Sequence, residues 1–385
     1  MTEDWQQGGF GLYIHWPFCE AKCPYCDFNS HVSRSIDQAA WRDAYLVELA
    51  RAASETKGRV LNAVFFGGGT PSLMDPDTVA DIISAIRSHW PTSNDLEITL
   101  EANPSSVEAG RFAAFRHAGV NRVSMGIQAL NDMDLKRLGR LHNTSEALAA
   151  FDIARTHFDR VSFDLIYGRQ DQTSNAWEKE LKQALTLAID HVSLYQLTIE
   201  NGTAFGDRYA RGKLNGLPSE DLGADMFQLT QEVCDLHGMP AYEVSNHARD
   251  GAQSRHNLIY WRYGDYIGIG PGAHGRLTLA GQKFATECYS NPNRWLTGVA
   301  KQETERPRER LSTTEQATEF LLMGLRVKEG ISLSRYAKIS GAPLSKDALD
   351  HLSDIGMIEV TGDRLVVKNQ GVMVLNAVIE ALIPH

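Results

Sequence analysis

Three cysteines, Cys19, Cys23 and Cys26, fall within eight residues in the stretch HWPFCEAKCPYCDFNSH, His15 to His31. Thiolates at such spacing are metal ligands before they are anything else. A structural zinc site needs four ligands, and the remaining cysteines, Cys234 and Cys288, are isolated and distant; zinc would have to recruit His31 as its fourth ligand. Three inert buried thiols fit poorly with a loop that carries Pro17 and Pro24 and belongs near the surface. An iron-sulfur cubane normally takes four thiolates, so three leave one iron open to an external ligand.

Other residues able to do chemistry recur at one kind of place. Glu101, Gln128 and Asp164 each fall at or near the carboxyl end of a predicted strand, and the glycines of FFGGGTPS, including Gly68 and Gly69 before Thr70, fall just beyond another. Glycine there lets backbone approach a ligand, while the absence of a following lysine argues against a phosphate loop. The elements that must position these groups are short β-branched and aromatic runs alternating with stretches of helical period. The strands are GLYIHW, NAVFFGGG, LEITLEANP, NRVSMGIQ, RVSFDLIYG, HVSLYQLTIE and PAYEVSNHA. The helices are Trp41–Arg51, Asp77–Ser88, Val107–Ala118, Ser145–Thr156, Ala176–Leu187 and Leu222–Leu236. This order predicts an α/β fold with a parallel sheet, a partial or full (β/α) barrel of the TIM type, whose carboxyl strand ends carry the site.

The predicted barrel spans residues 1–245. A connecting segment, 246–302, is rich in aromatics and glycine, and its GIGPGAHG reads as a loop against the barrel. The segment 303–385 reads as a small α+β domain: LDHLSDIGMIEVTGDRLVVKNQG gives helix, strand, turn, strand, as in a winged helix. Winged helices often bind DNA, but residues 302–385 hold 10 Lys+Arg against 12 Asp+Glu, so a cap or partner surface is expected.

The chain has 385 residues, 43% of them hydrophobic, enough for a substantial core, and a formal net charge of -10, which argues against nucleic acid as a partner. No run approaches the roughly 18 apolar residues of a membrane span. Peripheral membrane contact stays compatible with the sequence. MTEDWQQGGFG has no signal-peptide character, so a cytoplasmic location with reduced thiols is expected.

CxxxCxxC after a first strand, followed about 40 residues on by GGGTP, resembles the radical S-adenosylmethionine superfamily. LYIHWPFCEAKCPYCDF, GGGTPS, EANP, SMGIQAL, RLGRLH and SFDLIYG resemble, in order, the oxygen-independent coproporphyrinogen III oxidase subfamily. The resemblance implies a 4Fe-4S cluster on Cys19, Cys23 and Cys26, its open iron chelating the methionine moiety of S-adenosylmethionine, which an electron from the cluster cleaves to a 5'-deoxyadenosyl radical. It implies Tyr13 beside the methionine moiety, Tyr25 near the adenine, Gly68, Gly69 and Thr70 along the methionine end, and polar contacts from Glu101, Gln128, Arg140 and Asp164. Those roles suit carboxylates facing an ammonium or ribose hydroxyls and a guanidinium facing a carboxylate.

Two departures argue against the oxidase, which oxidatively decarboxylates two propionates to vinyls. Phe28 stands where the oxidase has a further cysteine, and only 18 residues precede Cys19, where the oxidase has a long extension over its substrate. His256, Asn257, Tyr260 and Trp261 match the HNxxYW pattern of the HemW branch, which implies haem binding, haem-acceptor proteins and an electron donor. His256 is the leading candidate axial ligand, with Tyr260, Trp261, Tyr263 and Tyr266 as aromatic surface for a porphyrin. His247, His274 and Cys288 are further candidate ligands.

Overall fold

The computed structural model describes residues 3–33 and 35–383; Met1 and Thr2 of the N-terminal stretch lie outside them. Six strands run parallel in chain order: β1 Phe10–Trp16, β2 Leu61–Gly68, β3 Thr92–Ala102, β4 Arg122–Gln128, β5 Arg160–Tyr167 and β6 His191–Gln196. Their middles are almost continuously buried, as in β1, because helices cover one face and the barrel interior the other. The helices start on side-chain caps. Asn143 and Glu146 form a reciprocal capping box on Thr144–His157, and Thr173 and Ser219 cap Ser174–Leu187 and Glu220–Leu236. In Thr144–His157 the buried Ala147, Ala150, Phe151 and Ala154 make one apolar stripe against the sheet.

After β6 the sheet departs from the expected pattern. Of PAYEVSNHA only Asn246–Ala248, β7, is a strand, and it pairs antiparallel with β6. The stretch GIGPGAHG is a turn only over 270–273 and its two ends are strand: β8 Asp265–Ile269 pairs parallel with β1, β9 His274–Leu279 pairs antiparallel with β8, and β10 Gln282–Glu287 and β11 Glu309–Arg310 extend the sheet antiparallel. The sheet therefore runs β11-β10-β9-β8-β1-β2-β3-β4-β5-β6-β7, an open, partial barrel. The expected helix from Val107 is two short ones, Ser106–Ala109 and Phe112–Ala118.

A second apolar core gathers Tyr263 with residues from Ala317 to Leu382. Its elements follow the order helix Thr313–Gly324, strand Ile331–Ser332, helices Leu333–Ser340 and Lys346–Asp354, then the hairpin Ile358–Thr361 and Arg364–Val367. That is the winged-helix arrangement. Gly362, at φ 59°, makes the turn, and Asp363 accepts from Ser332 and Ser334 to tie the hairpin to the start of helix Leu333–Ser340. Among the described residues no helix is long and apolar enough to cross a membrane.

Candidate functional site

The carboxyl ends of β1 to β5 open into a cleft of about 460 Å3. Its lining includes Cys19, Cys23, Tyr25 and Cys26 from the segment after β1, Gly68, Gly69 and Thr70 after β2, Glu101 and Asn103 at the end of β3, Gln128, Arg140, and Asp164. Eleven of the thirteen residues singled out in the sequence thus meet in one place. Tyr13 and His256 lie outside this lining.

The three thiols are free and partly exposed. Thr70 Oγ1 donates to Cys19 Sγ at 3.5 Å, Arg140 Nη1 donates to Cys23 Sγ at 3.3 Å, and Cys26 Sγ lies 3.9 Å from Ser30 Oγ. Burial pushes the Cys19 and Cys26 thiols up, partly offset at Cys19 by Thr70. Arg140 is further held by Asn103 Oδ1 at 2.7 Å and the Gly126 carbonyl at 2.8 Å, and its buried Nε has no partner among the described residues. Asn103 Nδ2 also donates to Thr70 Oγ1 at 3.1 Å. Asn103, inside the quoted EANP, is the hub that sequence reasoning left unassigned.

At the base, Glu101 Oε2 accepts from the Gly68 amide at 3.2 Å, and Asp164 Oδ1 accepts from Ser124 at 3.4 Å. Burial first, then repulsion from Asp164, raises Glu101 to about 8; burial raises Asp164 to about 6. Two carboxyls so buried would be stabilised in their ionised form by a cation placed between them. Gln128 sits where the β4–β5 register shifts, with φ 75°, and this bulge turns its side chain into the cleft.

The glycines act on the chain itself. A Cβ on Gly69 would stand 2.6 Å from the Phe18 carbonyl oxygen, and one on Gly68, at φ 112°, would meet the His15 ring at 2.6 Å. Their bareness lets the end of β2 press against the cysteine-bearing loop; Gly69 N donates to Trp16 O and Thr70 N to Phe18 O.

The donor set fits a cubane with one open corner. Three thiols share one cleft with a guanidinium against one of them and an orphaned Arg140 Nε beside it. Among the described residues no three His, Cys, Asp or Glu are close enough to hold a single metal ion. A cubane places each thiolate on a separate iron, so its ligands need not converge on one point.

A family model described as the radical SAM superfamily matches residues 13–184, and one described as the HemN C-terminal domain matches residues 311–374. The heme chaperone HemW of Haemophilus influenzae is 36% identical over 378 residues, covering 96% of each chain; that of Escherichia coli is 36% identical, covering 96% of this chain and 97% of its own. The chain belongs to the HemW family of radical S-adenosylmethionine proteins. A mitochondrial family relative, radical S-adenosyl methionine domain-containing protein 1 of Bos taurus, is 42% identical over 83% of this chain and 74% of its own. Coproporphyrinogen III oxidase (HemN) of Escherichia coli shares the HemW-family fold, with a TM-score of 0.79 over 98% of this chain and 92% of its own, at 21% identity.

Of the HNxxYW residues in this family member, His256 is buried and Asn257, Tyr260 and Trp261 are half-buried. His256, in helix Arg255–Trp261, is 2% exposed, stacks on Phe65 at 4.8 Å and Tyr13 at 6.0 Å, and bonds through Nε2 to Tyr260 Oη at 2.5 Å. Burial lowers it to about 3. Tyr13 bonds through its hydroxyl to His15 Nδ1 at 3.2 Å. Tyr263 packs on Phe320 in the second core, and Tyr260 packs edge-on against Tyr266. His247 and Cys288 are buried, whereas His274 is exposed.

Proposed function

We propose that this chain is a haem chaperone, binding haem and passing it to acceptor proteins while carrying a 4Fe-4S cluster and S-adenosylmethionine. The observation that carries the reading is whole-length kinship at 36% identity with two proteins named heme chaperone HemW. Phe28 supports it: 58% exposed at the cleft edge, it presents an apolar ring where the oxidase has a thiol. In this reading Cys19, Cys23 and Cys26 ligate the cluster. Gly68, Gly69 and Thr70 shape the methionine end, Arg140 meets the methionine carboxylate of S-adenosylmethionine, Glu101, Gln128 and Asp164 bind its other polar groups, Tyr25 packs near the adenine and Tyr13 stands behind the methionine end. The cluster would supply one-electron chemistry, drawing on a donor protein. Five free cysteines suit a reducing compartment, and we place the protein in the cytoplasm, without a nucleic-acid partner. The expected organisation is a barrel over 1–245, a connecting segment over 246–302 and a winged-helix-like domain over 303–385.

Anaerobic reconstitution with iron and sulfide, followed by haem titration and a coproporphyrinogen decarboxylation assay, tests this. Stoichiometric haem binding with no vinyl product is expected. Vinyl formation would instead establish the oxidase, which the shared fold alone does not separate from a chaperone.

A further inference from the structure

Four candidate axial ligands for haem iron come from the sequence: His247, His256, His274 and Cys288. Burial separates them. His247 is 0%, His256 2% and Cys288 2% exposed, and Nε2 of His256 is committed to Tyr260. An imidazole ligates a porphyrin iron only where a flat ring some way larger than any side chain can reach it. His274 alone of the four is exposed, at the start of β9, with no hydrogen-bonding partner found for its ring among the described residues.

Its surroundings are built. The GPGAH segment is fastened to the cysteine-bearing loop by Asn29, whose Nδ2 donates to Pro271 O at 2.8 Å and to Ser290 O at 2.9 Å. A Cβ on Gly272 would strike Asn29 Nδ2 at 2.6 Å, so the glycine is what permits this seam. His15 of β1, whose Nε2 bonds to the Asn29 carbonyl at 3.0 Å, fastens the same loop to the sheet. Next to Asn29 in the chain stands the exposed Phe28 ring, with Val32 exposed beyond it. Basic groups flank the seam: Lys22 reaches the Phe28 and Ser30 carbonyls, Arg294 stacks on Tyr289 at 3.5 Å, and Arg306 pairs with Glu287, the cross-strand neighbour of His274.

An exposed imidazole, apolar side chains and guanidinium groups at one seam are complementary to iron, macrocycle and propionates respectively. We infer that haem docks on the seam between the cysteine-bearing loop and β9, with His274 as its axial ligand, and that the interior His256 holds the barrel wall instead. This rests on the chaperone reading, and it puts the cargo against the cysteine-bearing loop, with Phe28 at the cleft edge.

The test compares full-length wild-type, His274→Ala and His256→Gln proteins, each reconstituted anaerobically and titrated with ferric haem, read by electron paramagnetic resonance and resonance Raman. The expected result is that His274→Ala loses the histidine-ligated signature and binds haem at least about tenfold more weakly, while added imidazole restores the spectrum. His256→Gln keeps it. Haem binding with unchanged spectrum and affinity in His274→Ala overturns this inference and leaves the chaperone reading standing. Wild-type protein that binds no haem overturns the chaperone reading and this inference with it. His274→Met, which keeps a side chain of similar reach, is expected to give a thioether-ligated spectrum; an unchanged histidine spectrum in that variant counts against the inference even if His274→Ala fails to fold.

Discussion

Arg140 lies against Cys23, with Nη1 donating to the sulfur at 3.3 Å, and its Nη2 is shared between Asn103 and the Gly126 carbonyl. A buried guanidinium so fixed lies in the outer shell of any metal held by Cys23 and orients that sulfur by a direct hydrogen bond. Arg140→Gln is expected to weaken cluster retention by roughly tenfold or more, the scale of outer-shell losses at metal sites. Iron content after timed competition with a chelator under nitrogen measures it, and retention equal to wild type would refute the role.

The carboxyl pair sets a pH dependence. Glu101 is raised to about 8 and Asp164 to about 6, from ordinary values of 4.5 and 3.8. A sulfonium or ammonium cation prefers both ionised, so S-adenosylmethionine should bind more tightly as pH rises from 6 to 8 and release protons on binding. Calorimetry in buffers of different ionisation enthalpy reads that release, and Glu101→Gln should remove its upper part. The sign for stability is opposite. Between about 4 and 8 the folded chain holds protons that the unfolded chain has lost, so without ligand the fold weakens as pH rises through that window.

The cluster cysteines and the strand-end Glu101, Gln128 and Asp164 were legible because they depend on local spacing and on which end of a parallel strand faces the site. The sheet extension β8 to β10 was not. Gly268 and Gly275 depress strand propensity, yet a Cβ on Gly268 would stand 2.2 Å from the His274 carbonyl oxygen and one on Gly275 2.4 Å from Thr286 Oγ1, so close packing selects glycine there. Asn103 escaped because its partners, Arg140 and Thr70, are about 35 residues away in opposite directions. HNxxYW could be read as a pattern, but the burial of His256 comes from Phe65 and Tyr13 on neighbouring strands, which no local pattern encodes.

Gly69 offers a mechanical test of the loop seat. In Gly69→Ala the added methyl would face the Phe18 backbone at 2.6 Å, with no flexible side chain to yield. Displacing the loop should cost about 1–3 kcal/mol and loosen Cys19, whose sulfur is bonded to the adjacent Thr70. Urea denaturation and iron content are expected to fall together; a variant that loses stability but keeps full cluster occupancy would separate the two effects.

Tyr260 tests what the HNxxYW histidine does. Its hydroxyl bonds to Nε2 of His256, whose buried Nδ1 has no partner among the described residues. Tyr260→Phe leaves a buried imidazole with neither nitrogen satisfied, at a cost of about 1–3 kcal/mol. The urea midpoint should drop at constant slope. Because His256 is lowered to about 3 by burial, the unfolded chain takes up its proton near pH 6.5 while the fold does not. The wild-type protein therefore loses stability as pH falls from 6.5 toward 3, and His256→Gln should flatten that decline. If His256 instead swung outward to meet iron, Tyr260→Phe would release it and tighten haem binding; with the imidazole serving the barrel wall, haem affinity is expected to stay where it was while stability falls.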